Sequence, residues 1–227
     1  MIAGEYTAQQ AYRAFNARLL TEETPADDEI VLTSGKSCSN VFHANGGSAS
    51  FSVMANTLRG VYGTDVLLAT ANSFTGSVLQ ADYNKKMAAS MIMPNGLMSR
   101  QRTMTGAELK ETVRAFVEGC EGGFVPFNRG SLPVVSGIAV EVKEAGGSYT
   151  LTGITRNGQP LGDDDTVTVT CLAAEKQMEA LLASESGTSL DGDTWVKNRW
   201  RDHVSGGGAA LAEPENYMTL RLSLIHI

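Results

Sequence analysis

Residues 103–119 read TMTGAELKETVRAFVEG, and this stretch predicts a capped amphipathic helix. Thr105 is followed three residues later by Glu108, which is the spacing of a capping box, where each side chain bonds the other residue's backbone N–H. Four apolar residues then recur at helical spacing and predict one buried stripe: Leu109, Val113, Phe116 and Val117. Gly119 is a typical C-terminal stop.

Strand-like segments lie on both sides of this helix. Asp65–Thr70 is apolar without alternation, which is typical of a strand buried on both faces. Other predicted strands and turns are 29–33, an edge-like segment over 97–102, 134–142, 149–155, the hairpin dipeptide Asn157-Gly158, 166–171 and 217–221. Helices are predicted over 7–20, 50–61, 83–91, 174–184 and 194–203. The sequence therefore predicts a mixed α/β (α+β) fold, a mixed sheet with flanking helices.

The chain divides into three parts by composition. Residues 1–28 are predicted to be a helical extension followed by an acidic linker, and residues 29–221 one domain. Residues 222–227 resemble translated adapter read-through, an artefact at the ends of metagenomic gene models. We therefore expect a native end near Arg221.

Composition excludes several classes of function. The net charge of −7 argues against binding to nucleic acid, since no Lys/Arg cluster exceeds a solvated face. No apolar run approaches about 18 residues, so no membrane span is predicted. The N-terminus lacks the charged start and apolar core of a signal peptide.

The three cysteines, Cys38, Cys120 and Cys171, have no C-x-x-C spacing. They indicate neither a zinc site nor a disulfide framework. We expect the cysteines to be buried as small apolar side chains. The alternative is one disulfide bond, if the protein is in an oxidising compartment.

Two loops are candidates for a ligand site. Asn72, Ser73 and Phe74 follow the buried strand, and ligands of open α/β sheets tend to bind outside the carboxyl ends of strands. Phe127 lies in the loop 122–130, where it could stack on a planar ligand. The alternatives are a plain turn for the first loop and, for the second, an aromatic residue that anchors the loop to the core.

Several short motifs occur in a fixed order between residues 45 and 172: Asn72-Ser73, Pro94, MTGAELK over 104–110, Val135-Ser136-Gly137, NGQPL over 157–161 and Thr166–Thr170. Together they resemble the C-terminal domain of the 5′-nucleotidase family. The resemblance implies a separate α/β unit that holds the base and part of the ribose-phosphate of a nucleotide, while an N-terminal metallophosphoesterase domain with a divalent metal pair performs hydrolysis. It also implies an extracytoplasmic or cell-surface location.

This sequence departs from the family at the ligand site. Where the family continues Asn-Ser with Gly-Gly-x-Arg, whose Arg serves the substrate phosphate, this chain has residues 74–77, FTGS. The family's base-stacking aromatic and following Asn are replaced by Asn95 and Leu97, and its Asn-Asp-Phe segment by CLAA over 171–174. Without the base-stacking contact and the arginine–phosphate contact, the binding free energy weakens by about 3–6 kcal/mol, which is roughly 10²- to 10⁴-fold in affinity. We expect a degenerate nucleotide pocket formed by Asn72, Ser73, Phe74, Asn95 and Phe127.

Catalytic patterns are missing from the sequence. A two-metal hydrolase needs a concentrated set of Asp, His and Asn ligands, whereas only His43 and His203 remain once the tail is set aside. No Gly-x-Ser-x-Gly nucleophile elbow occurs. We therefore predict no catalytic residue, metal ligand or cofactor in this chain. The expected function is an accessory, nucleotide- or nucleoside-binding domain of a 5′-nucleotidase-type hydrolase. The alternatives are a non-enzymatic structural or interaction domain and, less favoured, a lone hydrolase with an unrecognised site.

Overall fold

The computed structural model describes residues 29–92, 97–118, 133–145, 148–174, 188–206 and 209–222. The predicted helix over 7–20, nearly all of the one over 174–184, and the residues Asn95, Cys120 and Phe127 lie outside these ranges.

Strands and helices alternate in the first half of the described chain, and mostly strands follow in the second half. The strands are β1 (Ile30–Ser34), β2 (Val66–Thr70), β3 (Ala81–Asn84), β4 (Leu97–Thr105), β5 (Pro133–Ser136), β6 (Ala139–Ala145), β7 (Ser148–Arg156), β8 (Gln159–Pro160), β9 (Thr166–Ala174), β10 (Thr188–Trp195), β11 (Ala209–Ala210) and β12 (Met218–Leu222). The helices are α1 (Ala49–Tyr62), a 3₁₀ turn (Ala71–Ser73), α2 (Lys85–Ala89), α3 (Gly106–Glu118) and α4 (Val196–Ser205). The predicted mixed α/β class is confirmed.

A central five-stranded sheet has the order β10-β4-β9-β2-β5. β2 and β9 are parallel, with Leu67 opposite Thr170, and the other neighbours are antiparallel. Every residue of β2 is buried, which confirms the prediction of a strand covered on both faces. The prediction of an edge-like strand at 97–102 was wrong, because β10 pairs with the outer side of β4.

Two smaller sheets flank the central one. The first has the order β12-β6-β7-β8, and the second has the order β11-β1-β3. β6 and β7 pair as antiparallel neighbours. The predicted turn at Asn157 and Gly158 is confirmed, with φ of 52° and 75°, values that favour this dipeptide in hairpins.

Helix α3 forms as its capping box predicts. The Thr105 N–H donates to Glu108 Oε2 at 2.7 Å, and the Glu108 N–H donates to Thr105 Oγ1 at 3.2 Å. The predicted apolar stripe is buried and lies against β7 and β4. The helix therefore packs on the central sheet through β4 and on the β12-β6-β7-β8 sheet through β7.

The prediction of one strand over 134–142 was wrong. The chain leaves the central sheet after β5 and enters the β12-β6-β7-β8 sheet at β6. The break lies at Gly137, whose φ of +82° is a left-handed conformation that glycine adopts most readily. A Cβ atom at this position would lie 2.0 Å from the carbonyl oxygen of Asp65. Gly137 thus permits both the turn and the close approach of β2.

Three helix predictions need correction. Tyr83 belongs to β3, and α2 begins after Asn84, whose side chain accepts from the Met87 N–H at 2.9 Å. Ala174 ends β9 instead of starting a helix. The helix predicted from residue 194 begins at Val196, after β10.

None of the helices in the described part of the chain is long and apolar enough to cross a membrane.

Gly137→Ala is expected to lower the free energy of unfolding by more than about 2 kcal/mol, because it adds a backbone clash to an unfavourable φ. Gly76→Ala is the matched control: φ is +63° there, but no atom lies within 4 Å of the added Cβ. It should cost only about 1–2 kcal/mol. Urea unfolding measures both, and equal losses would contradict the close packing of Gly137 on Asp65.

Candidate ligand site at the carboxyl end of strand β2

The ends of four strands of the central sheet lie along the same edge of that sheet. Thr70, the last residue of β2, pairs with Pro133, the first of β5, and Leu97, the first of β4, pairs with Ala174, the last of β9. The loop with Asn72, Ser73 and Phe74 starts at this edge. In sequence, Asn95 precedes β4 by two residues and Phe127 precedes β5 by six, but both residues lie outside the described ranges.

The three described candidates differ in exposure. Asn72 is exposed, whereas Ser73 and Phe74 are buried. The Ser73 hydroxyl is fully enclosed and has no hydrogen-bond partner among the described residues. Asn72 is therefore the residue of the three whose amide faces solvent.

Phe74 packs into the core. Its side chain is 4% exposed, and its ring centroid lies 6.0 Å from that of Phe51 with an interplanar angle of 29°. Its backbone pairs with Ile92, and the Thr75 N–H donates to the Met91 carbonyl at 3.1 Å. These contacts attach the loop to residues 90–92. The place of Phe74 in the ligand pocket stays a prediction.

The first turn of α1 holds the other side of this loop. Ser48 caps the helix by accepting from the Phe51 N–H at 3.4 Å. Ser50 Oγ donates to the Gly76 carbonyl at 3.0 Å and accepts from the Val78 N–H at 3.1 Å. This role of Ser50 was not predicted from the sequence, because the buried part of α1 also contains Ser52, Asn56 and Thr57 and no pattern sets Ser50 apart.

The neighbouring end of β9 is apolar. Cys171 and Leu172 are buried, and burial raises the pKa of the Cys171 thiol to about 12 even though Arg102 and Arg100 lower it. The thiol is therefore neutral at physiological pH. Cys38 and Cys171 are free and buried, as predicted for small apolar side chains, and Cys120 lies outside the described residues.

The two histidines among the described residues occur on separate elements, and the third, His226, lies outside the described ranges. His43 forms an isolated β-bridge with Gly47, and His203 lies in α4 with its ring 5.8 Å from that of Trp200. Within the described ranges, no three His, Cys, Asp or Glu residues are grouped so that they could hold a metal ion.

Comparison with known proteins identifies similar folds. No family model and no curated protein matches the sequence. Among solved structures, an NAD nucleotidase from Haemophilus influenzae has a TM-score of 0.61 and 15% identity and covers 97% of this chain and 42% of its own. A 5′-nucleotidase precursor from Thermus thermophilus has a TM-score of 0.62 and 13% identity, with coverages of 96% and 43%. A sulfate thiohydrolase from the same organism has a TM-score of 0.62 and 12% identity, with coverages of 96% and 39%.

The chain has a 5′-nucleotidase-like fold. The likeness includes nearly all of this chain but only about two fifths of each of the three proteins named above. The similarity to the C-terminal domain of this family, first indicated by the motif order, is thereby confirmed at the level of the fold.

Phe74→Ala is expected to lower the free energy of unfolding by about 3–5 kcal/mol, because it removes a buried ring from contact with Phe51. Asn72→Ala, two residues away and exposed, should stay within about 0.5 kcal/mol of the parent chain. Chemical denaturation of both variants measures the difference. A loss below about 1 kcal/mol for Phe74→Ala would mean that the ring faces solvent and is available to a ligand.

Proposed function

We propose that this chain is a binding or accessory domain of a 5′-nucleotidase-type hydrolase, and that hydrolysis needs a metallophosphoesterase domain outside it. The observation that carries the proposal is the fold likeness, which includes 96–97% of this chain and 39–43% of proteins that include a nucleotidase and a 5′-nucleotidase precursor. The remaining part of such a protein is where the divalent metal pair is expected. An extracytoplasmic or cell-surface location belongs to the same proposal.

The ligand that we propose is a nucleoside or nucleotide, held weakly at the carboxyl end of β2. Asn72 supports this placement, since an exposed amide both donates and accepts hydrogen bonds at a sheet edge of the kind that binds ligands in α/β folds. Residues 74–77 contain no arginine, so no guanidinium follows Asn72-Ser73 to hold a phosphate. Recognition should therefore depend on the nucleoside and not on its phosphate.

A second candidate is a non-enzymatic structural or interaction domain that kept the fold and lost nucleotide binding. The burial of Phe74 and the apolar end of β9 at Cys171 and Leu172 favour it, because they leave few groups at this edge for a base or a phosphate.

Thermal unfolding of the full chain with adenosine, AMP and UMP tests the proposal. For a dissociation constant near 1 mM, about 10 mM ligand raises the free energy of unfolding by roughly 1.4 kcal/mol. This raises Tm by about 3–6 °C in a chain of this size. AMP and adenosine should give equal shifts, since the phosphate has no arginine partner after Ser73.

Asn72→Ala should abolish the shift in Tm. Asn45→Ala, an exposed asparagine beside β12, is the matched control and should keep it.

Three results would change the interpretation. An unmoved Tm with all three ligands would reject nucleotide binding and leave the interaction domain. A much larger shift with AMP than with adenosine would show that the phosphate is recognised after all. Phosphatase activity of this chain alone with added Mn²⁺, Zn²⁺ or Co²⁺, abolished by a chelator, would contradict the accessory role.

A further inference from the structure

A polar cavity lies at the opposite end of β2 from the candidate site. It has a volume of about 330 Å³ and opens to solvent between the start of β2, the β5–β6 turn, the β7–β8 turn and the segment before β12. Four charged residues line it: Arg59, Asp65, Arg156 and Glu215. The size is at the lower end of the range for small-molecule pockets.

The protein holds Arg59 in place on one side of the cavity. Its Nε donates to Ser136 Oγ at 2.8 Å, and its Nη1 donates to the Asp65 carbonyl at 3.4 Å. Ser136 is buried and donates in turn to Asn56 Oδ1. No carboxylate of the described residues pairs with this guanidinium, and only two of its five N–H groups have acceptors there. Within the described part of the chain, Arg59 thus presents oriented N–H donors that have no acceptor.

Arg156 approaches from the neighbouring sheet. Its Nη2 lies 2.5 Å from Asp65 Oδ1, and this is its one contact with an acceptor in the described part of the chain. The other Asp65 oxygen accepts from the Thr168 N–H and hydroxyl, each at 2.9 Å. Because Asp65 is occupied in this way, the remaining N–H groups of Arg156 stay available to a ligand. Two fixed guanidinium groups lose little conformational entropy on binding, which favours affinity.

Glu215 supplies the opposite charge at the same cavity. Its backbone is fixed by Ser52, which accepts from the Glu215 N–H at 2.7 Å and donates to its carbonyl at 2.9 Å. Its side chain is exposed and forms no ion pair within the described residues. The four lining charges sum to zero, so a neutral ligand with separated charges fits the cavity better than a dianion such as phosphate.

We propose that this cavity binds a small zwitterion of the free α-amino acid class, with its carboxylate between Arg59 and Arg156 and its ammonium group at Glu215. Paired guanidinium donors match the two oxygens of a carboxylate. The site is separate from the carboxyl end of β2, so the inference does not depend on nucleotide binding.

The proposal is tested by amide NMR spectra of the full ¹⁵N-labelled chain. The chain is titrated separately with L-alanine, acetate, methylammonium and phosphate, each up to about 20 mM. L-Alanine should shift the amides of Gly137, Asn157 and Gly158, which line the cavity, and the shifts should saturate. Acetate should bind about fivefold more weakly, which is the size of one exposed ion pair. Methylammonium and phosphate should give no saturable shift. An absence of saturable shifts with L-alanine, tighter binding of phosphate, or equal responses to all four compounds would overturn the proposal.

Variants separate binding from general effects of the additives. Arg59→Gln should abolish the response to L-alanine, and Glu215→Gln should make L-alanine and acetate bind equally. Asp164→Asn, which removes an exposed acid outside the cavity, is the matched control and should change neither. If Arg59→Gln loses the dispersion of a folded spectrum, Glu215→Gln decides, because the exposed Glu215 side chain has no ion pair to lose within the described residues. An unchanged preference for L-alanine in Glu215→Gln would overturn the assignment.

Discussion

The contacts of Asp65 fix how the sheets of this fold meet. Its N–H donates to Thr168 Oγ1 at 2.9 Å, while its carboxylate accepts from Thr168 and from Arg156. Burial alone would raise the pKa of this carboxyl, but the Thr168 hydrogen bonds and the Arg156 charge lower it below the ordinary value. Asp65 is therefore ionised at neutral pH. It joins the start of β2 to β9 in the central sheet and to β7 in the neighbouring sheet, and its carbonyl packs against Gly137.

Features with a local cause could be predicted from the sequence. The capping box of α3, the Asn157-Gly158 turn and the buried strand β2 each depend on residues that are neighbours in the chain. The errors concern pairing between distant segments. Whether β4 lies at an edge depends on β10, about 90 residues later, and whether 134–142 is one strand depends on the approach of Asp65 to Gly137. Neither partner is encoded in the strand's own pattern.

The candidate site shows the same division. The position of the loop after β2 follows from the apolar run before it, so the sequence was enough to place Asn72, Ser73 and Phe74 directly after that strand. Their role in binding a ligand stays a prediction. The sequence could not tell that Phe74 turns inward, because that depends on Phe51 in α1. Nor could the sequence predict that Arg59 and Arg156 line the same cavity, since these residues are almost a hundred positions apart and belong to no motif.

The parallel pairing of β2 with β9 has a consequence for biosynthesis. Val66 lies opposite Val169, so one side of the most apolar strand finds its partner only after about 100 further residues have been made. At 5–20 residues per second the ribosome needs roughly 5–20 s for that length. During this interval the nascent chain carries an apolar strand with one unpaired side, a feature that promotes aggregation and engages chaperones. Completion of β9 is accordingly the step of translation after which β2 and β4 can both pair with it, and β10 then pairs with the outer side of β4.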